Sequence, residues 1–280
     1  MKIGQIQTKI EFNKMENINK VEKYVKKIKN KHSNLDIITL PEMFNCPYDS
    51  SFFKKYSEFE GEKTWQELSR IAKEYNVYLF AGSIPEIDKD DNVFNTAYIF
   101  NREGKQIGKY RKVHLFDIDI EGGQTFRESD TITPGDKMTI VDTEFGKIGI
   151  MICYDIRFPE WARLISLEDV KAIIVPGAFN MTTGPAHWEL LFRTRAVDNQ
   201  LFMIATAPAQ DKKGPYVSYA NSMLVSPWGK ILDRLGFEEN YMVNEIDLKE
   251  VDKLKKQLPV VKHRRKDIYK LTKIMNSKGS

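Results

Sequence analysis

Apolar residues along this 280-residue chain recur with two periods, and each period predicts an element. At Met15, Ile18, Val21, Val25 and Ile28 the spacing is three or four, which predicts a helix with one buried stripe and a wet, lysine-rich opposite face. Trp65, Leu68, Ile71 and Tyr75 predict a second helix of the same kind. Short apolar runs behave differently. Residues 35–40 read as a buried strand stopped by Pro41, which places Glu42 just past a strand end. Residues 3–8 and 77–83 read as further strands.

Turn clusters at 88–92 and 102–105 separate strand-like runs and predict an antiparallel hairpin, whose last strand leads into Tyr110-Arg111-Lys112-Val113-His114. Residues 116–137 then read as a long glycine-containing loop, and loops of that length in a compact domain are usually functional. Strands flank Gly146, the second of them (147–152) delivering Cys153, and Pro159 opens a helix because its missing N–H costs nothing in a first turn. Residues 171–178 and 201–207 are strands, 184–199 a helix, and 251–258 a last helix after further hairpins. Strands of both continuous and alternating type, with helices between them, predict an α/β fold of mixed sheets stacked face to face and covered by helices outside.

Composition narrows this little: 41% apolar and 29% charged residues are ordinary for a globular chain of one large domain, taken as residues 1–260. No window approaches the roughly 20 apolar residues of a spanning helix, and the first residues lack the apolar stretch of a signal peptide, so the expected location is the cytoplasm, with no membrane partner. Two cysteines, Cys46 and Cys153, form no disulfide framework. The four histidines show no ligand spacing, so no metal and no cofactor is assigned. Much of the net charge of +4 sits in 261–280, a basic extension read as a solvated tail, because no nucleic-acid-binding motif accompanies it.

Glu42, Lys112 and Cys153 each follow a predicted strand, where an unpaired polar side chain would be costly to bury, and strand ends are the usual ligand crevice of such sheets. Their chemistry is complementary. A thiol attacks once deprotonated, and a carboxylate in reach together with the helix start after Cys153 is expected to favour the thiolate. Attack on an amide leaves a tetrahedral oxyanion, for which Lys112 and the Tyr154 backbone N–H are the candidate donors, each worth about 3 kcal/mol. Glu42 is the candidate base, passing its proton to departing ammonia and then activating water to cleave the thioester. Taken singly, each residue has a bland alternative: a core cysteine, a turn glutamate, an exposed strand lysine.

The segments Leu40-Pro41-Glu42, Tyr110-Arg111-Lys112-Val113-His114-Leu115 and Cys153-Tyr154-Asp155-Ile156-Arg157-Phe158-Pro159-Glu160 resemble the three signature segments of the nitrilase (carbon–nitrogen hydrolase) superfamily. That resemblance implies a Glu–Lys–Cys triad, a four-layer alpha-beta-beta-alpha sandwich and a homodimer paired through its helices. Residues 42–48, 114–120, 126–129 and 176–200 are similar to the omega-amidase branch, whose members release ammonia from the terminal amide of alpha-ketoglutaramate and related short dicarboxylic monoamides such as alpha-ketosuccinamate and succinamate. By the same resemblance Glu128 is a second glutamate near the triad, orienting Lys112 and the substrate amide. Such a substrate carries a far carboxylate, so the pocket needs a cation, and Arg157, one helical turn past the nucleophile, suits bidentate binding. Phe179 and Thr183 are candidates for the pocket wall and a substrate hydrogen bond; Phe44, Tyr48 and Phe116 are candidates for excluding water.

Three rival readings remain open from the residues. His114 lies two positions beyond Lys112 on the same strand face and would serve as base in a Cys–His hydrolase. The same triad would equally act on deaminated glutathione, an N-carbamoyl amino acid or a nitrile. A binding protein with a vestigial site, or a redox sensor built on Cys153, is the reading from outside hydrolysis.

Overall fold

The structure is a computed structural model and describes residues 1–122 and 125–274. One sheet runs in the order β15 (Asn240–Glu245), β1 (Lys2–Gln7), β2 (Ile37–Thr39), β3 (Tyr78–Phe80), β5 (Val93–Phe100) and β4 (Ile84–Ile87), with β6 (Gln106–Arg111) also paired to β5. The other runs β14 (Ile231–Arg234), β13 (Met223–Val225), β12 (Phe202–Thr206), β11 (Ala172–Pro176), β10 (Gly146–Ile150) and β9 (Ile140–Thr143). In each, a parallel centre is flanked by antiparallel strands, as β1, β2 and β3 or β10, β11 and β12 are parallel. Both sheets are therefore mixed.

The period of two in the strands sorts side chains into separate cores. Ile37 and Phe80 face the second sheet, in a cluster with Ile150, Ile174 and Ile204, whereas Ile38 and Leu79 face α1 (Lys14–Lys31) and α3 (Lys63–Glu74). Ile18, Val21, Val25 and Ile28 of α1 are buried there, and Asn13 caps the helix by accepting from the N–H groups of Met15 and Glu16. On the far side, α4 (Pro159–Ser166) and α5 (Gly184–Asn199) cover the second sheet through Ile165, Trp188 and Phe192. The result is the expected four-layer α-β-β-α sandwich. Polar pairs pin the sheets in register across the inner layer: Gln5 Nε2 donates to Ala205 O at 2.8 Å and Thr39 Oγ1 meets Thr206 Oγ1 at 2.6 Å.

Several elements differ from the sequence expectation. A helix α2 (Ser50–Tyr56) follows the Glu42 turn, started by Asp49 accepting from the Ser51 N–H; its seven residues are too few for a periodic pattern to register. The stretch expected as a loop over 116–137 contains a small hairpin, β7 (Asp117–Asp119) with β8 (Thr125–Arg127), and a single 3₁₀ turn, Glu128–Asp130; residues 123 and 124 of that stretch lie outside the described residues. Cys153 does not open an α-helix. It begins a 3₁₀ turn, Cys153–Arg157, while α4 starts at Pro159 as the sequence predicts. The last helix, α6, spans Lys249–Gln257.

Beyond α6, described residues 259–274 form turns along α4 and the end of α5, with Lys273 Nζ 2.8 Å from Glu168 Oε1. Residues 275–280 of the basic extension lie outside the described residues. This segment borders a groove of about 460 Å³ lined by Pro159, Arg163, Asp198, Arg264 and Tyr269.

Candidate active site

Each of the three residues singled out by position does project from a strand end, and main-chain hydrogen bonds explain how each is held. Past β2, the turn carrying Glu42 is stitched to the segment after β3: Ser83 N donates to Pro41 O, while Met43 N and Phe44 N donate to Ser83 Oγ and Ser83 O. Gly82, at φ +59°, makes this approach possible, since a Cβ there would stand 2.0 Å from Pro41 O. Lys112 is the first residue past β6, its N–H donating to Asn95 O at 2.9 Å and its carbonyl accepting from Gly135 N at 2.8 Å. Glu128 is brought in by the hairpin, its N–H donating to Phe116 O.

These side chains meet in one buried cluster. Lys112 Nζ donates to Glu42 Oε1 at 3.0 Å and to Glu128 Oε2 at 2.8 Å, and all three side chains are wholly buried. Glu42 Oε2 accepts from the Ala178 N–H at 2.8 Å, at the end of β11. Glu128 Oε2 also accepts from the Phe116 N–H at 2.7 Å. Burial opposes the charge on Lys112, but the Glu128 and Glu42 carboxylates outweigh it and hold the ammonium above its ordinary value. Burial raises Glu128, with Lys112 opposing and Glu42 adding, so its carboxyl sits above the usual carboxylate range. Two carboxylates sharing one ammonium out of water are a weak device for stability. They are a strong one for moving protons.

Cys153 completes the cluster. Its backbone adopts φ +46°, a left-handed conformation that costs a non-glycine residue about 1–3 kcal/mol. Asp155 holds the turn: it accepts from the Ile152 N–H at 2.9 Å, the Tyr110 hydroxyl at 2.6 Å and the His114 N–H at 2.9 Å, so the turn is tied to the end of β6. The thiol hydrogen-bonds to Glu42; burial first, and then the Glu42 charge, push it well above its ordinary value, with Lys112 opposing. The sequence expectation of a resting thiolate is therefore corrected. A neighbouring carboxylate that is itself anionic opposes a second negative charge, and the short 3₁₀ turn supplies less dipole than the helix assumed.

The remaining predicted positions divide. Tyr48 is closer to the chemistry than a water-excluding role requires, its hydroxyl 3.4 Å from Glu42 Oε1 and 3.5 Å from Lys112 Nζ. The Phe116 and Tyr154 rings meet edge to face with their centres 5.3 Å apart. The Tyr154 N–H lies in the first turn of the 3₁₀ segment, where donors lack intrahelical acceptors. Phe179 is buried against Trp188 and lies under Arg157, whose guanidinium carbon is 4.8 Å from the Phe179 ring centre and 5.5 Å from that of Tyr154. Among the described residues no carboxylate pairs with Arg157; Nη1 meets His187 Nδ1 at 3.1 Å and Nε is buried without a partner. Thr183 is turned to Asn180, its hydroxyl donating to Oδ1 at 2.8 Å. Phe44 is a correction: it packs with Ile6, Ile18 and Leu68 in the core under α1 and α3, not in the pocket wall.

His114, the rival base, is held elsewhere: Nδ1 lies 2.7 Å from Asp155 Oδ1 and the ring stacks on Phe158 at 3.7 Å. Sequence reasoning missed Asn95, Asp155, Ala178 and Tyr216. Asn95 and Asp155 carried a signal, a polar residue inside an otherwise apolar run. Ala178 acts through its main chain and Tyr216 arrives from a loop, its hydroxyl donating to Ala178 O and its ring 4.8 Å from that of Tyr48.

A sandwich of two mixed sheets between helices, holding a thiol, two carboxylates and an ammonium at its strand ends, is the class of protein to which nitrilase-type hydrolases belong. Residues 2–256 match the carbon–nitrogen hydrolase family. Omega-amidase NIT2 of Xenopus tropicalis is 44% identical over 264 residues, 94% of either chain, and human omega-amidase NIT2 is 42% identical over 269 residues, 96% of either chain. Among solved structures, Nit3 of Saccharomyces cerevisiae, a member of branch 10 of the nitrilase superfamily, matches with a TM-score of 0.88 at 38% identity, covering 95% of this chain and 96% of that one. The chain belongs to the carbon–nitrogen hydrolase family, and with it to the enzymes that hydrolyse carbon–nitrogen bonds.

Proposed function

We propose that the protein is an omega-amidase, releasing ammonia from the terminal amide of short dicarboxylic monoamides such as alpha-ketoglutaramate, alpha-ketosuccinamate and succinamate. The observation that carries the substrate class is Arg157, a half-buried guanidinium beside the nucleophile with a partnerless buried Nε. Burial pushes its pKa below the ordinary value while Cys153, Tyr154 and Tyr216 oppose, and an arginine stays charged regardless. A cation left unpaired beside a reaction centre suits a substrate that brings its own carboxylate. The relatives named omega-amidase add support.

In the reaction, the Cys153 sulfur attacks the amide carbon as Glu42 takes the thiol proton, so no free thiolate need build up. The carbonyl oxygen becomes an oxyanion facing Lys112 Nζ and the Tyr154 N–H. Glu42 returns its proton to the amide nitrogen as the carbon–nitrogen bond breaks, and ammonia leaves a thioester on Cys153. Water then enters, Glu42 removes its proton, the carbon–sulfur bond breaks and the sulfur is reprotonated. Glu128 keeps the Lys112 ammonium aimed, and Tyr48, Phe116 and Phe179 wall the cavity. Water is the second substrate, and the proposed steps call on no metal or cofactor.

The substrate assignment is tested with kcat/KM for succinamate, deaminated glutathione, N-carbamoyl-β-alanine and butyronitrile. Succinamate is expected to lead by about 100-fold, the value of one well-made contact to a charge. A preference for any of the other three would remove the omega-amidase assignment and leave the triad.

The same reading covers assembly and location. Leu190 and Val197 of α5 and Trp228 of the β13–β14 turn are 62%, 49% and 65% exposed around one apolar groove, and a homodimer paired through this face would cover them. Light scattering is expected to give twice the 32.6 kDa chain mass, and L190K/V197E the single mass; a wild-type chain of single mass at micromolar concentration would refute the dimer. Both cysteines are free, and a thiol nucleophile suits the reducing cytoplasm. Residues 1–260 act as the catalytic domain and 261–280 as a basic extension to it.

A further inference from the structure

Asn95 touches every charged member of the cluster, and nothing in the proposed chemistry gives it work. It sits in β5 between Phe94 and Thr96, wholly buried. Its Nδ2 donates to Glu42 Oε1 at 2.9 Å and to Glu128 Oε1 at 3.2 Å. Its main-chain carbonyl accepts the Lys112 N–H at 2.9 Å. The orientation of the amide is fixed by its neighbours, because the reverse assignment would set Oδ1 against two carboxylates at those distances. Oδ1 instead points away from them, buried and without a partner.

A buried amide with an orphaned oxygen is a costly choice in an apolar strand, so its two N–H bonds must carry the reason for it. Lys112 supplies one positive charge against two carboxylates. Each carboxylate therefore needs further donors to offset the repulsion of the other. For Oε2 these are the Ala178 N–H on Glu42, and Lys112 with the Phe116 N–H on Glu128. For the Oε1 atoms, Asn95 is the donor the two carboxylates have in common.

We propose that Asn95 is a positioning residue: its single amide group holds both buried carboxylates on either side of the Lys112 ammonium, so that Glu42 is presented to Cys153 as an ionised base. The inference rests on the reading of Glu42 as the base. Other titratable groups face the same carboxylates: Tyr48 and Cys153 from the turns around the cluster, and Tyr216 from its loop. Glu86, Lys109 and Arg111 lie on the other face of β5 and β6, where Thr96 donates to Glu86, and leave this face alone.

The test is the pH dependence of succinamate hydrolysis by Asn95→Leu, which keeps the shape and removes both donors. With both carboxylates deprived of a donor, protonation of the base extends to higher pH. The acid limb of kcat/KM is expected to move up by about one unit, and kcat at neutral pH to fall by about 100-fold, with KM within about threefold. A folded N95L enzyme whose acid limb stays in place overturns the proposal even if kcat falls, because a purely structural role lowers rate without moving the limb. Should N95L not accumulate folded, Asn95→Ala, smaller and likewise without a side-chain donor, is read the same way. A parallel Glu42→Gln enzyme separates the two ideas. Turnover surviving in E42Q sinks the base assignment and this proposal with it, whereas a dead E42Q beside an unmoved limb in N95L removes only the role given to Asn95.

Discussion

Cys153→Ala is expected to release no measurable ammonia from succinamate, a loss of at least about 10⁴-fold, while remaining folded and still binding the substrate. In the proposed mechanism the sulfur supplies the bond on which the two half-reactions turn. Glu42→Gln is expected to fall nearly as far, because an amide cannot take the thiol proton, and because Cys153, held as a neutral thiol by burial and by the neighbouring carboxylate, has no standing population of thiolate to fall back on. His114→Asn is expected to stay within about tenfold of wild type, since the ring is held on Asp155 and stacked on Phe158. The measurement is initial ammonia release at saturating substrate, with near-ultraviolet circular dichroism as the check on folding. Turnover retained by E42Q and lost in H114N would hand the base to histidine. Turnover retained by C153A would remove covalent catalysis altogether.

The positions of Glu42, Lys112 and Cys153 were legible because strand ends are written in the sequence: an apolar run, a stop such as Pro41, then a polar residue that must find partners. The sandwich was legible for the same reason, since continuous and alternating strands between amphipathic helices admit few architectures. What stayed hidden has physical causes. Donors such as the Ala178 N–H belong to the main chain and have no side-chain identity to read. The paired strands β7 and β8 are too short and polar to announce themselves, yet they are what carries Glu128 under Lys112. Phe44 shows the reverse error. Its neighbourhood to Glu42 in sequence suggested the pocket, but the turn at Met43, with φ +50°, sends it into the core under α1 and α3. The resting charge of Cys153 was misjudged because proximity to a base was counted as help, when an ionised base in a buried site also repels the charge it creates.

Arg157→Met is expected to change what the enzyme prefers more than how fast it works. Methionine keeps the length and the packing over Phe179 and Tyr154 and removes only the charge and its fork of donors. If Arg157 grips the far carboxylate, its loss leaves that carboxylate desolvated without a partner, at a cost of about 3 kcal/mol, or roughly 100-fold in kcat/KM for succinamate. Most of that is expected in KM, because the carboxylate is held equally in the ground and transition states. Butyramide, which has a methyl group where succinamate has its carboxylate, should be unaffected within about threefold or slightly improved. Arg157→Lys is expected to fall between, keeping a charge without the planar fork. The comparison of the two amides is what decides: an equal fall for both makes Arg157 a structural residue of the Cys153 turn, and no fall for succinamate places the carboxylate on another group. An exchange of preference between them would mean that a single guanidinium, left without an acidic partner among the described residues, determines which amides the thiol meets.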